Sequence, residues 1–208
     1  FMDYIIADRT LIPEYYQRYY SEKVVYLPNS YQVNTSKRKI SNISLKRHDF
    51  GLPNTGFVFS CFNNNYKITP YTFSGWMKIL EAVEGSGLWL FESNKSAVKN
   101  LKNEAKKSGI NEDRLIFSKH ITVEEHLNRI QLADLFLDTL PCNAHTTTSD
   151  ALRMKLPVLT CMGNSFASRV SASLLNAVNL PELITTTQEQ YESLAIQLAL
   201  HPEKLKTI

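Results

Sequence analysis

One polar segment carries most of the residues that could bind a charged ligand. It runs from Asp134 to Asp150 and reads DLFLDTLPCNAHTTTSD. Its apolar part, Leu135 to Leu137, is short and bounded by Asp and Pro, which is typical of a core strand in a parallel sheet. His145 and four hydroxyl-bearing residues follow. We expect a helix to begin at these residues.

The start of that helix is suited to binding an anion. Its first N–H groups have no intrahelical acceptor and carry partial positive charge, so such a terminus accepts phosphate readily. There is also a purely structural interpretation, in which one Thr caps the helix and the other hydroxyls are solvated. Taken alone, the segment favours the structural interpretation, and the rest of the chain decides between the two.

Strands and helices alternate from Gly51 onwards. Short apolar runs predict strands that begin at Phe57, Leu88, Leu115, Leu135 and Val158. Helix starts are predicted at Thr69-Pro70, at the Thr122–Glu125 capping box, after Gly163-Asn164-Ser165, at Pro181 and at Thr187. Alternation with short connectors requires a parallel sheet with helices on both faces, which is a Rossmann-like α/β fold.

The first 50 residues differ from this pattern. They contain two strand candidates, Tyr4–Ile6 and Val24–Leu27, with a helix candidate between them. From Ser30 to Arg47 the chain is polar and has no hydrophobic period, which predicts a mobile connector. We therefore expect an inter-lobe junction and connector over residues 1–50, and a ligand-binding lobe over residues 51–208.

Composition excludes several classes of protein. With 208 residues and 43% hydrophobic content, the chain can form a sizeable core, and its net charge of +3 does not favour nucleic acid or a membrane surface as partner. Three cysteines without a CxxC pair argue against a disulfide framework. No apolar run is long enough to cross a bilayer. Since the sequence begins at Phe1 on strand-like material, we expect a piece of a larger cytoplasmic protein.

In open α/β sheets, ligands bind outside the carboxyl ends of the strands. Lys67 lies between a strand and a helix cap, where its ammonium group could meet a phosphate. His126 and Arg129 are three residues apart on one helix face and could stack on and hydrogen-bond a base. Asp150 could accept hydrogen bonds from ribose hydroxyls. Each residue also has a structural explanation as a solvated or dipole-stabilising side chain, but their convergence on one sheet edge favours a nucleotide site.

The motifs of other nucleotide sites are absent from the sequence. There is no GxGxxG after the first clear strand and no GxxxxGK[ST]. The sequence also lacks an Asp-x-Asp at a strand end and a His/Cys cluster with metal-ligand spacing. A diphosphate would therefore be neutralised by Lys67 and a helix terminus, without a metal.

Five motifs then occur in a characteristic order. They are FNNNYKI at 62–68, EEH at 124–126, LAD at 132–134, DTLPCNAHTT at 138–147 and FASRV at 166–170. Together they closely resemble the catalytic region of the O-linked N-acetylglucosamine transferases and their bacterial relatives, which carry tetratricopeptide repeats. Residues 2–6 resemble the junction between the two lobes of that family. The resemblance covers nearly the whole chain and is weakest from Ser30 to Phe50.

The resemblance implies that the chain is the carboxyl-terminal, UDP-sugar-binding lobe of a GT-B glycosyltransferase. It implies that Lys67 is catalytic, because the matching lysine contacts the diphosphate and stabilises the departing UDP. The phosphates would be cradled by His145, Thr146 and Thr147. The other contacts it implies are from Asp150 to the ribose, from His126 to the uracil, from the main chain of Arg129 to the base, and from Asn64 to the sugar or phosphate.

The implied reaction is inverting transfer of N-acetylglucosamine, or another hexose, from a UDP-sugar to Ser or Thr hydroxyls of an acceptor protein. No metal or other cofactor is implied, and the acceptor would be bound by regions outside this chain. The sequence departs from the animal enzymes at Asn64, where they carry Gln, and at Val123, where they carry a Lys beside the ribose.

Two alternatives stay open: an epimerase acting on a UDP-sugar, and a non-catalytic UDP-sugar-binding lobe. The intact Lys67, His145 and Asp150 argue against the second of these.

Overall fold

The computed structural model describes residues 2–35, 37–205 and 207–208; Phe1 and Ser36, which belong to the predicted junction and connector, lie outside the described residues, as does Lys206. The strands are β1 (Tyr4–Ala7), β2 (Lys23–Tyr26), β3 (Val58–Cys61), β4 (Gly87–Phe91), β5 (Leu115–Ser118), β6 (Leu135–Leu137), β7 (Val158–Cys161) and β8 (Ile184–Thr185). The α-helices are α1 (Pro70–Ala82), α2 (Lys95–Lys107), α3 (Val123–Arg129), α4 (Thr146–Arg153), α5 (Val170–Ala177), α6 (Gln188–Leu200) and α7 (Pro202–Leu205).

Six of the strands form one parallel sheet in the order β5-β4-β3-β6-β7-β8. Counted from β3, this is the order 3-2-1-4-5-6 of doubly wound dinucleotide-binding folds. The chain reverses its direction of travel across the sheet between β3 and β6, where Phe59 lies beside Leu135. The crevice outside the carboxyl ends of these two strands is therefore the expected ligand position.

The sheet is buried on both faces, because helices cover each of them. Every residue of β3, β6 and β7 is buried, which explains why these strands appear in the sequence as mostly apolar runs without polar alternation. α1 has an apolar stripe that is buried and includes Trp76. The Trp76 indole N–H donates to the Tyr191 hydroxyl of α6 at 3.2 Å, and that hydroxyl donates to the carbonyl of Asp138 at 3.0 Å. Core packing thus extends to the end of β6.

The first two strands form a separate parallel pair that packs on α5. A second apolar cluster, centred on Leu11 and Ile12, joins this pair to Val170 and Leu174. The buried carboxylate of Asp8 strengthens the connection, since it accepts hydrogen bonds from the Tyr31 N–H at 3.0 Å and the Ser173 hydroxyl at 2.6 Å. The junction is therefore fixed to the larger sheet by apolar and polar contacts.

The structure corrects the prediction of a mobile connector. In the described residues between 30 and 46 the chain has no helix or strand, but it is docked on the lobe. The Asn128 amide donates to the carbonyl of Ile43 at 2.6 Å. Arg47 donates to both carboxylate oxygens of Asp134, at 2.9 and 2.8 Å. The connector is therefore held by a hydrogen bond and an ion pair to residues of the lobe that are distant in sequence. Hydrophobic periodicity does not reveal such contacts.

Two other predictions differ in detail from the structure. The helix expected after Gly163-Asn164-Ser165 is a 3₁₀ turn, Phe166–Ser168, followed by α5. A side chain at Gly163 would lie 2.5 Å from the Ser168 hydroxyl, so this close approach requires glycine. The two-residue strand β8, between the helices predicted at Pro181 and Thr187, was not predicted. Among the described residues, no helix has the length and apolar character needed to span a membrane.

Candidate functional site

A cavity of about 360 Å³ opens outside the carboxyl ends of β3 and β4, between α3 and α4. Its volume falls in the range of small-molecule sites. Each wall comes from a different part of the fold, including the connector. The lining residues are Arg38, Phe62, Phe91, His120, Ile121, Val123, His126, Arg129, Thr146 and Asp150.

One end of this cavity is built around His126 and Arg129 of α3. The Arg129 guanidinium is buried, lies over the Phe62 ring at 5.0 Å, and donates to the carbonyl of Lys119 at 2.9 Å. Its Nε donates to Nδ1 of His126 at 3.1 Å. Burial, followed by the charge of Arg129, lowers the pKa of His126 to about 4. The imidazole is therefore neutral at physiological pH, which suits it to stacking on a base.

The N-terminus of α4 borders the same cavity and lacks a side-chain cap. His145 occupies the N-cap position but makes no capping hydrogen bond. Four other helices, by contrast, each begin with a side chain that accepts from a first-turn N–H: Thr69, Asn94, Thr122 and Thr187. The first-turn N–H groups of α4 thus remain without a side-chain acceptor from the N-cap residue, which is the arrangement expected of an anion site.

Lys67 lies in the loop after β3 and reaches the loop between β6 and α4. It ends a 3₁₀ turn, Asn65–Lys67, and its Nζ donates to the carbonyl of Asn143 at 2.7 Å. Burial, followed by the positive charge of Lys67, lowers the pKa of His145. The buried Nε2 of His145 has no hydrogen-bond partner among the described residues. An ammonium group, an unpaired imidazole nitrogen and an uncapped helix thus adjoin one another.

A buried carboxylate, Asp138, fixes the shape of this loop. It accepts hydrogen bonds from the Ala144 N–H at 2.6 Å, the Thr139 N–H at 2.8 Å and the Thr160 hydroxyl at 2.7 Å. Burial raises the pKa of Asp138, whereas these hydrogen bonds act to lower it. Because Asp138 ties the residue before His145 to β6 and β7, it sets where α4 begins.

The structure brings most of the predicted site residues together. His126, Arg129, Thr146 and Asp150 line the cavity, and Lys67 and His145 meet beside the start of α4. Four predicted residues do not line it: Lys67, His145, Asn64 and Thr147. The exposed side chain of Asn64 caps the Lys67 turn, and Thr147 borders a small gap beside Phe62 and His126.

No function was predicted from the sequence for Arg38, Phe62, Phe91 or Asp138. Asp138 and Phe62 each follow directly after a buried strand, and that position was a usable signal. Arg38 lies in an aperiodic polar segment, where the sequence gives no comparable signal. Within the described ranges, no group of three or more His, Cys, Asp or Glu residues is placed to hold a metal ion.

The strand order, the cavity at the switch point and the uncapped helix beside Lys67 define a Rossmann-type lobe with the layout that such folds use for nucleotides. Comparison with known proteins refines this class. The profile of glycosyl transferase family 41 matches residues 34–208, so the chain belongs to that family. The match begins inside the connector, so the part of the connector from residue 34 onwards belongs to the family domain.

Two curated relatives illustrate the similarity. The chain is 37% identical over 214 aligned residues to the probable UDP-N-acetylglucosamine–peptide N-acetylglucosaminyltransferase SEC of Arabidopsis thaliana, which covers 100% of this chain and 22% of that protein. It is 40% identical over 159 residues to the UDP-N-acetylglucosamine–peptide N-acetylglucosaminyltransferase of Caenorhabditis elegans, covering 76% of this chain and 14% of the relative. The chain thus spans less than a quarter of either protein.

Solved structures confirm the predicted fold class. A mutant O-GlcNAc transferase of Thermobaculum terrenum superposes with a TM-score of 0.85 at 29% identity, covering 99% of this chain and 39% of that one. The sucrose-phosphate synthase of Thermosynechococcus elongatus superposes with a TM-score of 0.55 at 12% identity, covering 98% of this chain and 55% of that one. The second likeness concerns the fold alone.

Proposed function

We propose that this chain is the donor-binding lobe of an inverting glycosyltransferase, which transfers N-acetylglucosamine from UDP-N-acetylglucosamine to Ser or Thr hydroxyls of proteins. Residues 51–208 would form the lobe, and residues 1–50 the junction and connector. The acceptor protein and the other half of the cleft would be supplied by parts of the protein outside this chain. Family membership and the two relatives support the reaction class.

The observation that carries the proposal is the position of Lys67. Its ammonium group is held 2.7 Å from the carbonyl of Asn143, beside the uncapped start of α4 and at the switch point of the sheet. A diphosphate bound there would receive hydrogen bonds from the N–H groups of Thr146 and Thr147 and would lie near a fixed positive charge.

The proposed chemistry follows from this arrangement. The acceptor hydroxyl oxygen forms a bond to the anomeric carbon on the face opposite UDP and gives up its proton to water, while the bond from that carbon to the β-phosphate oxygen breaks and its electron pair leaves with UDP. Negative charge grows on the diphosphate during this step. Lys67 and the helix terminus stabilise that charge, and such preorganised stabilisation is commonly the largest contribution to catalysis.

The uridine would occupy the cavity that His126, Arg129 and Asp150 line. The neutral His126 imidazole would stack near the uracil, and the main chain of Arg129 would contact the base. The Asp150 carboxylate would accept from ribose hydroxyls. Asn64 is proposed to reach the sugar or phosphate when donor is bound, since its side chain is exposed beside Lys67.

The proposal predicts transfer that is independent of added metal. Radiolabelled UDP-N-acetylglucosamine is incubated with the longer protein that contains this lobe and with protein substrates, in EDTA and in Mg²⁺. We expect equal labelling of protein in both, because Lys67 and α4 supply the positive charge that a metal would. Labelling that EDTA abolishes and Mg²⁺ restores would refute metal independence. Epimerised nucleotide or free sugar, with no labelled protein, would instead indicate the epimerase alternative.

A further inference from the structure

The connector contributes a charged residue to the wall of the nucleotide cavity. Arg38 lines this cavity and also a neighbouring one of about 360 Å³, which lies on the connector side of α4. Its Nη1 donates to Oδ1 of Asp150 at 2.6 Å. Arg38 is separated from Asp150 by 112 residues in the sequence, so this ion pair is a long-range feature of the fold.

The backbone of Arg38 and that of Thr35 are both hydrogen-bonded to the same helix. Arg153 donates to the carbonyl of Thr35 at 2.8 Å and to the carbonyl of Arg38 itself at 3.0 Å. Asp150 and Arg153 are three residues apart on α4 and so lie on neighbouring turns of one face. The helix that begins at the proposed phosphate site thus also holds the connector, through one acidic and one basic side chain.

The ion pair is sheltered from water. The side chains of Arg38 and Asp150 retain 30% and 14% of their accessible surface. Charges in such a position interact more strongly than an exposed pair, because screening by solvent is reduced. In the described part of the chain, only Oδ1 of Asp150 is hydrogen-bonded, so Oδ2 keeps its acceptor sites for a ligand.

We propose that Arg38 is a positioning residue for the nucleotide: it orients Asp150 toward the ribose and thereby sets how strongly the site recognises the ribose hydroxyls. This inference rests on the proposed function, because it takes Asp150 as the ribose acceptor. It assigns the connector a part in donor recognition.

The direction of the effect follows from the neighbouring charges. Two cations act on the Asp150 carboxylate, Arg38 and Arg153. Arg38 borders the nucleotide cavity, whereas Arg153 borders the neighbouring one and is not among the residues that line the nucleotide cavity. Removing Arg38 would leave the carboxylate attracted toward Arg153 and away from the nucleotide. Asp150 would still be present, but its oxygen would no longer face the ribose.

The test is a calorimetric titration of this chain with UDP and with 2′,3′-dideoxy-UDP. The two ligands share base and diphosphate and differ in the ribose hydroxyls. The variants are Arg38→Gln, Arg38→Lys and Asp150→Asn, together with Lys39→Gln as a matched control, because Lys39 is an exposed cation of the same connector.

We expect wild type to prefer UDP and Arg38→Gln to bind UDP about tenfold more weakly, as expected for a lost hydrogen bond to a charged group. Its affinity for the dideoxy nucleotide should change less than twofold. Arg38→Lys should recover part of the preference, and Lys39→Gln should behave as wild type. In the Asp150→Asn background, Arg38→Gln should have no further effect on the preference.

Equal weakening of both nucleotides by Arg38→Gln would overturn the inference, since it would mean that Arg38 only holds the connector in place. Unchanged or tighter UDP binding would overturn it as well. Wild-type binding of both nucleotides with equal affinity would refute the ribose role of Asp150 but leave nucleotide binding intact. Failure of wild type to bind either nucleotide would refute the proposed function, and the inference with it.

Discussion

Two helices begin beside the same cavity, and their first turns are built differently. The N-terminus of α3 is closed by a capping box: the Thr122 hydroxyl accepts from the Glu125 N–H at 3.3 Å, and the Glu125 carboxylate accepts from the Thr122 N–H at 3.2 Å. The N-terminus of α4 begins at His145 without a side-chain cap. The capping box thus hydrogen-bonds N–H groups at the start of α3 within the helix itself. The first-turn N–H groups of α4 have no side-chain acceptor from the N-cap residue and can donate to a ligand.

This difference indicates that the two helix starts have different roles, one in stability and the other in ligand binding. A capped terminus stabilises the protein, typically by about 1 kcal/mol, but it cannot bind an anion through the same N–H groups. The open terminus of α4 forgoes that stabilisation, and Asp138 and the core hold the loop in place instead. Lys67 adds a positive charge only at the open terminus. The comparison therefore predicts that changes near α4 affect function and changes at the α3 cap affect stability.

The largest expected effect comes from Lys67→Ala. In the longer enzyme that contains this lobe, we expect the transfer rate to fall by about 10²–10³-fold, as for the loss of one donor to a developing oxyanion. UDP affinity should fall much less, because the interaction strengthens as charge builds on the leaving group. Steady-state kinetics and UDP calorimetry measure the two effects separately. Lys99→Ala, on the exposed face of α2, is the control, and turnover of Lys67→Ala within a few-fold of wild type would contradict the catalytic role.

Closing the α4 terminus should weaken UDP binding without unfolding the lobe. In His145→Asp, a carboxylate can accept from the first-turn N–H groups and repels phosphate, so we expect UDP affinity to fall by about tenfold or more. The free energy of unfolding should stay level or rise by up to about 2 kcal/mol. Calorimetry and urea unfolding measure these quantities. His145→Asn provides a neutral cap and should lose less UDP affinity. Unchanged UDP affinity in both variants would show that the start of α4 does not bind the nucleotide.

Removing the cap at the start of α3 should have the smallest effect on UDP affinity. Thr122→Ala removes the capping oxygen, and we expect the free energy of unfolding to fall by about 1 kcal/mol. UDP affinity should change less than twofold, because this terminus is satisfied internally in the wild type. Urea unfolding, with UDP calorimetry on the same protein, checks both values. A tenfold loss of UDP affinity at unchanged stability would show that α3 also binds the phosphates.

Helix starts and buried strands that depend on a local sequence pattern could be predicted from the sequence. The α3 capping box and the buried strand at Leu135 were placed correctly, because spacing and hydrophobic run length are local signals. Gly109 follows the end of α2 with a positive φ of 77°, the position and conformation in which glycine commonly ends a helix. Convergence of Lys67, His126 and Asp150 followed from the rule that parallel strands present their carboxyl ends at one edge.

What could not be predicted depends on contacts between distant residues. Arg38 reaches Asp150 from a segment without hydrophobic period, and no local pattern specifies that pairing. The role of Asp138 depends on two donors from the loop that follows it, Thr139 and Ala144, and on one donor from β7, Thr160. The strand β8 has only two residues and is defined by its pairing with β7, at Thr160 and Cys161, rather than by its own sequence.

The central claim is that this chain contains a nucleotide site at the switch point of its sheet. A ¹⁵N NMR titration of the chain with UDP tests it most directly. We expect weak binding without sugar transfer, because closure of a second lobe normally adds contacts and excludes water. Chemical-shift changes should concentrate at Lys67, His126, His145 to Thr147 and Asp150. No shift at millimolar UDP would contradict the claim, and so would shifts confined to the lysine-rich face of α2, formed by Lys95, Lys99, Lys102 and Lys106.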